Sequence, residues 1–298
     1  MHENSYWYIG LGILSIFLLM YVYFKTKSTR FLLHFLAMVG LGYIIETVIY
    51  NFLFSYQYFP KLIKHNEIYD SNLGAIASNA LALPAAATFI ATFHKNWLWI
   101  LSIIGLFAGI EWAFLELHIY KHNWWRTYYT SLGLPFYFAM AKLLYSKISR
   151  PIKGLQHTLL LFLIIGPISG SIHIMPILFF SNRSYELGWF DNISRDTTAF
   201  GALYYLTASM IYVILAKFIN SPNWVKYIVV ALLTHSITTT FVKNGILHSQ
   251  VWWDPWYYVI LSIILMLTTL TISKHLTNGP PKKEANGDRH QKRQVPSK

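Results

Sequence analysis

Two acidic residues and two histidines fall close together in residues 109–130, GIEWAFLELHIYKHNWWRTYYT. Glu111 and Glu116 lie inside an apolar run long enough to cross a bilayer, and His118 and His122 follow at its end. A charged side chain in a membrane span is costly, so it usually faces the protein interior and often marks function. A carboxyl group in that position can bind a cation, carry a proton or act as a general acid or base, which makes Glu111 and Glu116 the candidates for catalysis.

A third acidic residue, Glu46, lies in the second apolar run at a depth that matches the depth of Glu111. With a helical rise of ~1.5 Å per residue, Glu46 lies ~22 Å and Glu111 ~21 Å from the inner ends of their helices. Other polar residues within the runs fall in the same outer half of the bilayer. We therefore expect an outward-facing binding site built from Glu46, Glu111, Glu116, His173, Asn79 and Lys243.

His118 and His122 are four residues apart, a spacing at which one helix can present two imidazoles to a metal ion such as zinc. The alternative is a pair of interfacial histidines without a ligand, because the helix need not continue as far as His122. The chain has no cysteine, which excludes a disulfide, a thiolate metal site and a thiol nucleophile. No nucleotide-binding motif is present either, so zinc is the one cofactor that the sequence suggests.

The composition predicts which secondary-structure elements carry these residues. The chain is 55% hydrophobic and 12% charged, whereas a soluble globular protein has roughly 25% charged residues. Lipid cannot hydrogen-bond a backbone, so runs of about 20 apolar residues without polar alternation must be helices. The pattern predicts an all-α polytopic integral membrane protein with nine transmembrane helices, at about residues 6–24, 31–54, 73–93, 97–118, 127–146, 155–180, 197–218, 224–247 and 256–273.

The distribution of basic residues predicts the orientation. With the N-terminus outside and nine spans, 17 of the 24 Lys and Arg residues fall on inner segments, as the positive-inside rule requires. The net charge of +12 is then a consequence of membrane topology, and we expect no nucleic-acid partner. The predicted partner is the lipid bilayer, and the predicted location is the cell membrane.

The spacing of the runs also indicates an internal duplication. Runs two to five start at residues 31, 73, 97 and 127, and runs six to nine start 124 to 129 residues later. This predicts a single transmembrane domain, residues 1–274, organised as one helix plus two parallel four-helix repeats, 31–146 and 155–274. The alternative is convergence, because helix ends at a membrane interface attract Trp and Tyr in any case.

Residues 275–298 have no apolar periodicity and are rich in Lys and Arg. They predict a disordered, basic cytoplasmic tail. Such a tail can contact anionic lipid headgroups at roughly 1 kcal/mol per basic residue, and a purely solubilising role is the alternative.

The polar residues expected in the outer half of the bilayer, which we call the polar layer, lead to three functional hypotheses. The first is a small-solute or ion carrier whose site includes Glu46 and Glu111. The second is an intramembrane enzyme that acts on a lipid-borne substrate at the outer leaflet, with Glu111 as acid or base. The third is a non-catalytic membrane scaffold or sensor with a polar core, which would tolerate replacement of its glutamates.

Overall fold

The computed structural model describes residues 1–278, and each of the nine predicted runs is helical in it. The first half contains α1 (Glu3–Thr26), α2 (Arg30–Glu46), α3 (Glu67–Ala75), α4 (Leu83–Thr92), α5 (Trp97–Glu116) and α6 (Thr127–Ile148). The second half contains α7 (Gly154–Phe180), α8 (Ile193–Phe218), α9 (Asn223–Lys243) and α10 (Asp254–Asn278). A π-helical segment, π1 (Thr47–Phe52), continues α2, and a second, π2 (Ile76–Ala82), joins α3 to α4.

Eight of the helices described within residues 1–278 are long and apolar enough to cross a membrane, counting α2 with π1 and α3 through α4 as one helix each. The all-α prediction is confirmed, and these helices are typical of a multi-pass membrane protein. Helix α6 is the exception: it has 22 residues but a more polar sequence that includes Lys142 and several hydroxyl side chains. That α6 also crosses the membrane, for a total of nine spans, therefore stays a prediction.

Asparagine side chains begin three of these helices. The Asn66 side chain accepts hydrogen bonds from the backbone N–H groups of residues 68 and 69 and so caps α3. Asn96 caps α5 and Asn192 caps α8 in the same way. Each cap satisfies backbone donors that the first helical turn leaves without a partner, so these residues decide where the helices start.

Two short antiparallel strand pairs, which the sequence did not predict, connect the loops at one end of the molecule. Strand β1 (Tyr56–Tyr58) pairs with β2 (Tyr120–His122), and β3 (Arg183–Tyr185) pairs with β4 (Leu247–Ser249). Strands of three residues carry too little periodicity to be recognised from sequence. We call this end of the molecule the strand face.

The other end of the molecule brings together helix ends that are distant in sequence. The Arg30 Nη2 atom donates to the His275 carbonyl at 2.9 Å, and the Ile152 N–H donates to the Leu276 carbonyl at 3.1 Å. Arg30 also lies near the end of α6, since its Nη1 atom is 3.5 Å from the Ile148 carbonyl oxygen. Helix α6 thus starts at the strand face and ends at the opposite face.

The first four residues of the predicted tail are helical. Residues 275–278 form the last turn of α10 and contribute the two backbone contacts just described. The apolar contacts of α10 with the bundle extend its helix beyond the point where the apolar run ends. The remaining residues of the predicted tail, 279–298, lie outside the described part of the chain.

Equivalent elements recur in the two halves at a nearly constant spacing. Strand β3 follows β1 by 127 residues, and β4 follows β2 by 127 residues. Helix α8 begins 126 residues after α3, and α9 begins 126 residues after α5. This recurrence is what the predicted duplication requires, although a common origin of the halves stays a prediction.

A buried aspartate organises the loop before α3 in the first half and the loop before α8 in the second half. The Asp70 carboxylate accepts hydrogen bonds from the backbone N–H groups of residues 61–63 at 2.7 to 2.9 Å. Asp196 accepts from the N–H groups of Leu187 and Gly188, which lie at the same sequence distance from it. Both carboxylates are almost fully buried, and hydrogen bonds to a charged group are the stronger kind.

The two halves meet where α2 packs against α7. A Cβ atom built on Gly40 of α2 would lie 1.9 Å from the backbone oxygen of Leu163 in α7. Only glycine permits this approach, as is common where membrane helices pack closely. Helix α7 is continuous through Pro167 and Pro176 at this contact.

Replacement of Gly40 by alanine should therefore destabilise the protein. We expect Gly40→Ala to lower the free energy of unfolding by about 2 kcal/mol, because an extra methyl group in a tight contact forces the helices apart. Gly105→Ala is the matched control, since nothing lies within 4 Å of a Cβ atom at that helical position. Thermal melting of the purified variants in detergent checks this, and equal melting temperatures for the two variants would contradict the close packing of the halves.

Candidate functional site

The two glutamates whose depths match line one cavity of about 200 Å³ near the strand face. We call it the aromatic cavity. Its wall comes from α1, α2, π1, π2, α4, α5, α6 and the strand pair β1–β2, so it belongs to the first half of the chain and the leading helix. Three predicted binding residues meet here: Glu46, Glu111 and Asn79.

Glu46 is the last residue of α2, directly before π1. Its Oε1 atom accepts a hydrogen bond from the Tyr56 hydroxyl at 2.5 Å. Its Oε2 atom is buried and has no hydrogen-bond partner among the described residues. The Asn79 side chain lies close enough to interact with the carboxylate, yet its Nδ2 atom makes no hydrogen bond of ordinary geometry. One carboxylate oxygen is thus held in place, and the other is left available.

Both π-helical segments contribute to this arrangement. Glu46 precedes π1, and Asn79 lies in the middle of π2. A π-helical turn contains an extra residue, which rotates the side chains after it relative to an α-helix, and such turns often occur at functional sites. Asn79 within π2 and Asn51 within π1 are the polar side chains whose direction these segments change, whereas Glu46 keeps the direction that α2 gives it.

Glu111 is held by groups that follow it in the sequence. Its Oε1 atom lies 2.7 Å from Nε2 of His122 and accepts a hydrogen bond from the Thr127 hydroxyl at 3.2 Å. His122 can reach back because α5 ends at Glu116 and the chain returns through β2. The side chains of Glu111 and His122 are only 10% and 12% exposed, so this is a shielded carboxylate–imidazole pair.

Tyrosine rings supplied by the strand pair form the wall between the two carboxylates. The ring centroids of Tyr58 and Tyr120 are 4.9 Å apart, and those of Tyr56 and Tyr120 are 5.5 Å apart. Burial, followed by neighbouring negative charge, raises the pKa of all three phenols well above the usual value. These rings therefore remain neutral, and their hydroxyl groups can still donate hydrogen bonds to a carboxylate.

The charged side chains that line the aromatic cavity all have the same sign. Two of its lining residues are acidic, and none of the lining residues, all within 1–278, is Lys, Arg or His. The rest of the wall is largely apolar and aromatic, with Phe107, Phe114, Trp125, Tyr129 and Tyr137 adding to the strand tyrosines. An aromatic face attracts cations through its quadrupole, so the cavity has the electrostatic character of a cation site.

The remaining predicted site residues lie elsewhere. Glu116 is exposed at the end of α5, and Lys243 is exposed at the end of α9. His173 belongs to a separate buried cluster in the second half, where its ring is 4.8 Å from Tyr258 and its Nε2 atom is 3.4 Å from the Tyr185 hydroxyl. The structure thus divides the predicted polar layer between the two halves.

His118 and His122 do not lie on one helix, so the helical spacing that suggested a zinc pair is not present. Helix α5 stops at Glu116, and His118 adopts a left-handed backbone conformation with φ 57°. His118 contacts the Glu116 carbonyl, whereas His122 contacts Glu111. No group of three or more His, Asp or Glu side chains that could hold a metal ion occurs in residues 1–278.

The second half builds a different arrangement at its own strand pair. Arg183 of β3 makes a buried bidentate pair with Asp254, the first residue of α10, at 2.8 and 2.9 Å. The Asn182 side chain also donates to Asp254, at 2.6 Å. Because these charges neutralise each other and are almost fully buried, they fasten β3 to α10 and leave little room for a ligand.

A second, smaller cavity of about 70 Å³ lies between the halves, and we call it the seam cavity. Glu46 and Asn79 line this cavity as well as the aromatic cavity. Residues of α7 and α8 complete its wall, including Thr198 and Tyr205. Glu46 therefore contributes to the walls of both cavities.

Several residues of this site were not predicted from the sequence. Tyr56, Tyr58 and Tyr120 lie in loops between predicted spans, and Asn51 lies at the end of the second run. Tyr56-Gln57-Tyr58 does alternate, which places two aromatic rings on one side of a strand, but three residues are too few for that alternation to indicate a strand.

Comparison with known proteins does not assign the chain. No protein-family model, no curated protein sequence and no solved structure matches it.

The hydrogen bond between Tyr56 and Glu46 can be tested alone. Tyr56→Phe keeps the ring but leaves the Glu46 carboxylate without its hydroxyl donor, so we expect a loss of about 1–3 kcal/mol in the free energy of unfolding. Tyr6→Phe, at an exposed position of α1, is the matched control and should melt like the unmodified protein. Thermal melting in detergent is the measurement, and an unchanged melting temperature for Tyr56→Phe would show that the bond does not hold Glu46.

Proposed function

We propose that the protein is a membrane carrier for a small organic cation, such as a protonated or quaternary amine, and that the aromatic cavity is its binding site. The observation that carries the proposal is the pairing of two carboxylates, Glu46 and Glu111, inside an aromatic wall whose lining residues include no basic side chain. Carboxylates supply the opposite charge, and aromatic rings bind the alkyl groups around a cationic nitrogen through cation–π attraction. This combination favours an amine over an anion or a sugar.

The dimensions of the site limit the solute to a small molecule. Sites for drug-sized ligands enclose roughly 300–1,000 Å³, and the aromatic cavity encloses about 200 Å³. Tyr129, which is 39% exposed, lies at the rim of the wall near the strand face. A solute of a few non-hydrogen atoms can therefore reach the carboxylates from that side.

The arrangement of the halves supports a carrier over a fixed scaffold. Many secondary transporters consist of two repeats and bind their solute next to the repeat interface. Here the recurring elements define two halves, and Glu46 lies between the aromatic cavity and the seam where the halves meet. A shift of one half against the other would change the surroundings of Glu46 directly.

The proposal includes the membrane topology. Helix α6 crosses the cell membrane, which brings the number of spans to nine. The N-terminus and the strand face lie outside the cell, and the opposite face lies on the cytoplasmic side. The contacts of α6 support this, because it starts beside β2 and ends beside Arg30. The outward strand face then gives the site access to external solute.

Binding should depend on charge in both the protein and the ligand. We expect choline to stabilise the purified protein against heat, and its uncharged carbon analogue 3,3-dimethylbutan-1-ol to have no effect. Glu46→Gln and Glu111→Gln should each weaken choline binding at least about tenfold, since each removes a charge that faces the cation at short range. Isothermal calorimetry and uptake of labelled choline into proteoliposomes measure binding and transport.

Glu116→Gln is the matched control, because it makes the same change on the same helix at an exposed position. It should bind and transport like the unmodified protein. Tetramethylammonium, methylammonium and ethanolamine extend the panel to smaller cations. If no cation of this panel binds, or if Glu111→Gln and Glu116→Gln behave alike, the carrier proposal fails and the scaffold hypothesis gains support.

The topology has its own test, because the chain contains no cysteine and any introduced thiol is unique. A membrane-impermeant maleimide should label Lys121→Cys on intact cells but label Arg150→Cys only after permeabilisation. Both positions are exposed in the structure. Labelling of both positions from the same side would mean that α6 does not cross the membrane.

A second candidate function is an intramembrane enzyme acting on a lipid-borne substrate. The Glu111–His122 pair favours it, since a carboxylate within 2.7 Å of an imidazole is an arrangement that general acid–base catalysis uses. The transport experiment separates the two functions. A carrier returns the labelled solute unchanged, whereas an enzyme yields a modified lipid or solute that mass spectrometry detects.

A further inference from the structure

We infer that the seam cavity binds a monovalent metal cation, Na⁺ by its ligand chemistry, at a site that shares Glu46 with the aromatic cavity. The inference goes beyond the carrier proposal, because it concerns a different cavity and a different ligand. It depends on buried oxygen atoms without partners, on the charge of the lining and on the size of the space.

Two buried oxygen acceptors of the lining residues have no hydrogen-bond partner among residues 1–278: Glu46 Oε2 and Asn51 Oδ1. A buried acceptor without a partner costs about 1–3 kcal/mol relative to one that is satisfied. The Asn79 side chain, 8% exposed, also lines the cavity with its amide nitrogen unbonded. The two oxygens, Glu46 Oε2 and Asn51 Oδ1, indicate a ligand that is positively charged or that donates hydrogen bonds, whereas the Asn79 N–H group lies close to the Glu46 carboxylate.

Hydroxyl groups supply further oxygen ligands. The Tyr50 hydroxyl donates its proton to Ser71, and the Thr198 hydroxyl donates its proton to the Arg195 carbonyl. Both oxygens keep lone pairs and both residues line the seam cavity. Carboxylate, amide and hydroxyl oxygens are the ligands of hard cations, whereas softer metals prefer imidazole or thiolate.

The charge and the volume of the seam cavity select among the hard cations. Glu46 is the one charged side chain among its lining residues, all within 1–278, so a single positive charge balances it. Calcium sites usually gather six to eight oxygens with several carboxylates. The volume of about 70 Å³ accommodates an ion with a few waters and is about a third of the volume of the aromatic cavity.

The π-helical segments explain why these oxygens meet. Asn51 lies within π1, Asn79 lies within π2, and Glu46 precedes π1 directly. Helical distortions of this kind often mark ligand sites. Because Glu46 lines both cavities, a cation bound at either one changes the charge felt at the other, and such coupling is reciprocal. This last consequence alone rests on the proposed carrier function.

The experiment measures thermal melting of the purified full-length protein in low-salt buffer without any amine, during titration with NaCl, KCl and LiCl. We expect a saturable rise of several degrees in the melting temperature, largest for NaCl. Glu46→Gln and Asn51→Leu should abolish the saturable rise, because each changes one of the two oxygens without partners. Glu111→Gln and Glu116→Gln should keep it, since neither residue lines the seam cavity.

A response that is equal in the unmodified protein and in Glu46→Gln would be general salt screening and would overturn the inference. So would a response that Asn51→Leu retains, because the ion would then bind outside the seam cavity. If one of these two variants fails to fold, the other decides the outcome. Choline binding without a Na⁺ response overturns this inference alone, and a Na⁺ response without choline binding overturns the carrier proposal alone.

Discussion

A charged or polar group inside a hydrocarbon layer must find its partners within the protein, and the structure of this chain depends on that constraint. Asp70 meets it with backbone N–H groups of the loop that it organises, and Asp196 meets it through Oδ2 alone, since its Oδ1 atom has no hydrogen-bond partner among the described residues. Arg183 and Asp254 meet it with each other. Glu46 meets it only in part, since one of its oxygens has a donor and the other has none. Of the two carboxylates that keep an oxygen without a partner within residues 1–278, Asp196 and Glu46, it is Glu46 that lines the aromatic cavity and the seam cavity.

The two halves share a scaffold and differ in what they place at the equivalent position. Late in α2, next to strand β1, the first half carries Glu46 beside Tyr56. Late in α7, next to strand β3, the second half carries His173 beside Tyr185. The second half also closes its strand pair with a neutralised ion pair, whereas the first half leaves two carboxylates around a cavity. The charged groups of the second half thus hold its elements together, whereas the first half has the features of a binding site.

Helical depth grouped six polar residues, and three of them, Glu46, Glu111 and Asn79, line one cavity. Glu46 and Glu111 were expected at the same depth, and they line the same cavity. Glu116 is only five residues from Glu111, yet it is exposed, because α5 ends there. His122 reaches Glu111 by a chain reversal through β2 and not by helical periodicity. Depth depends on composition and length alone, whereas the direction of a side chain near a helix end depends on where the helix stops.

The sequence by itself determined the membrane class, the approximate positions of the helices and the presence of costly carboxylates within apolar runs, because apolar length and charge act locally and additively along the chain. Only the tertiary structure decided which of those carboxylates share a space. It brought Tyr56, Tyr58 and Tyr120 into a wall through strands of three residues, and it left Glu46 between two cavities at the seam. These features depend on contacts between segments some 60 or more residues apart, and no local pattern in a single sequence records such contacts.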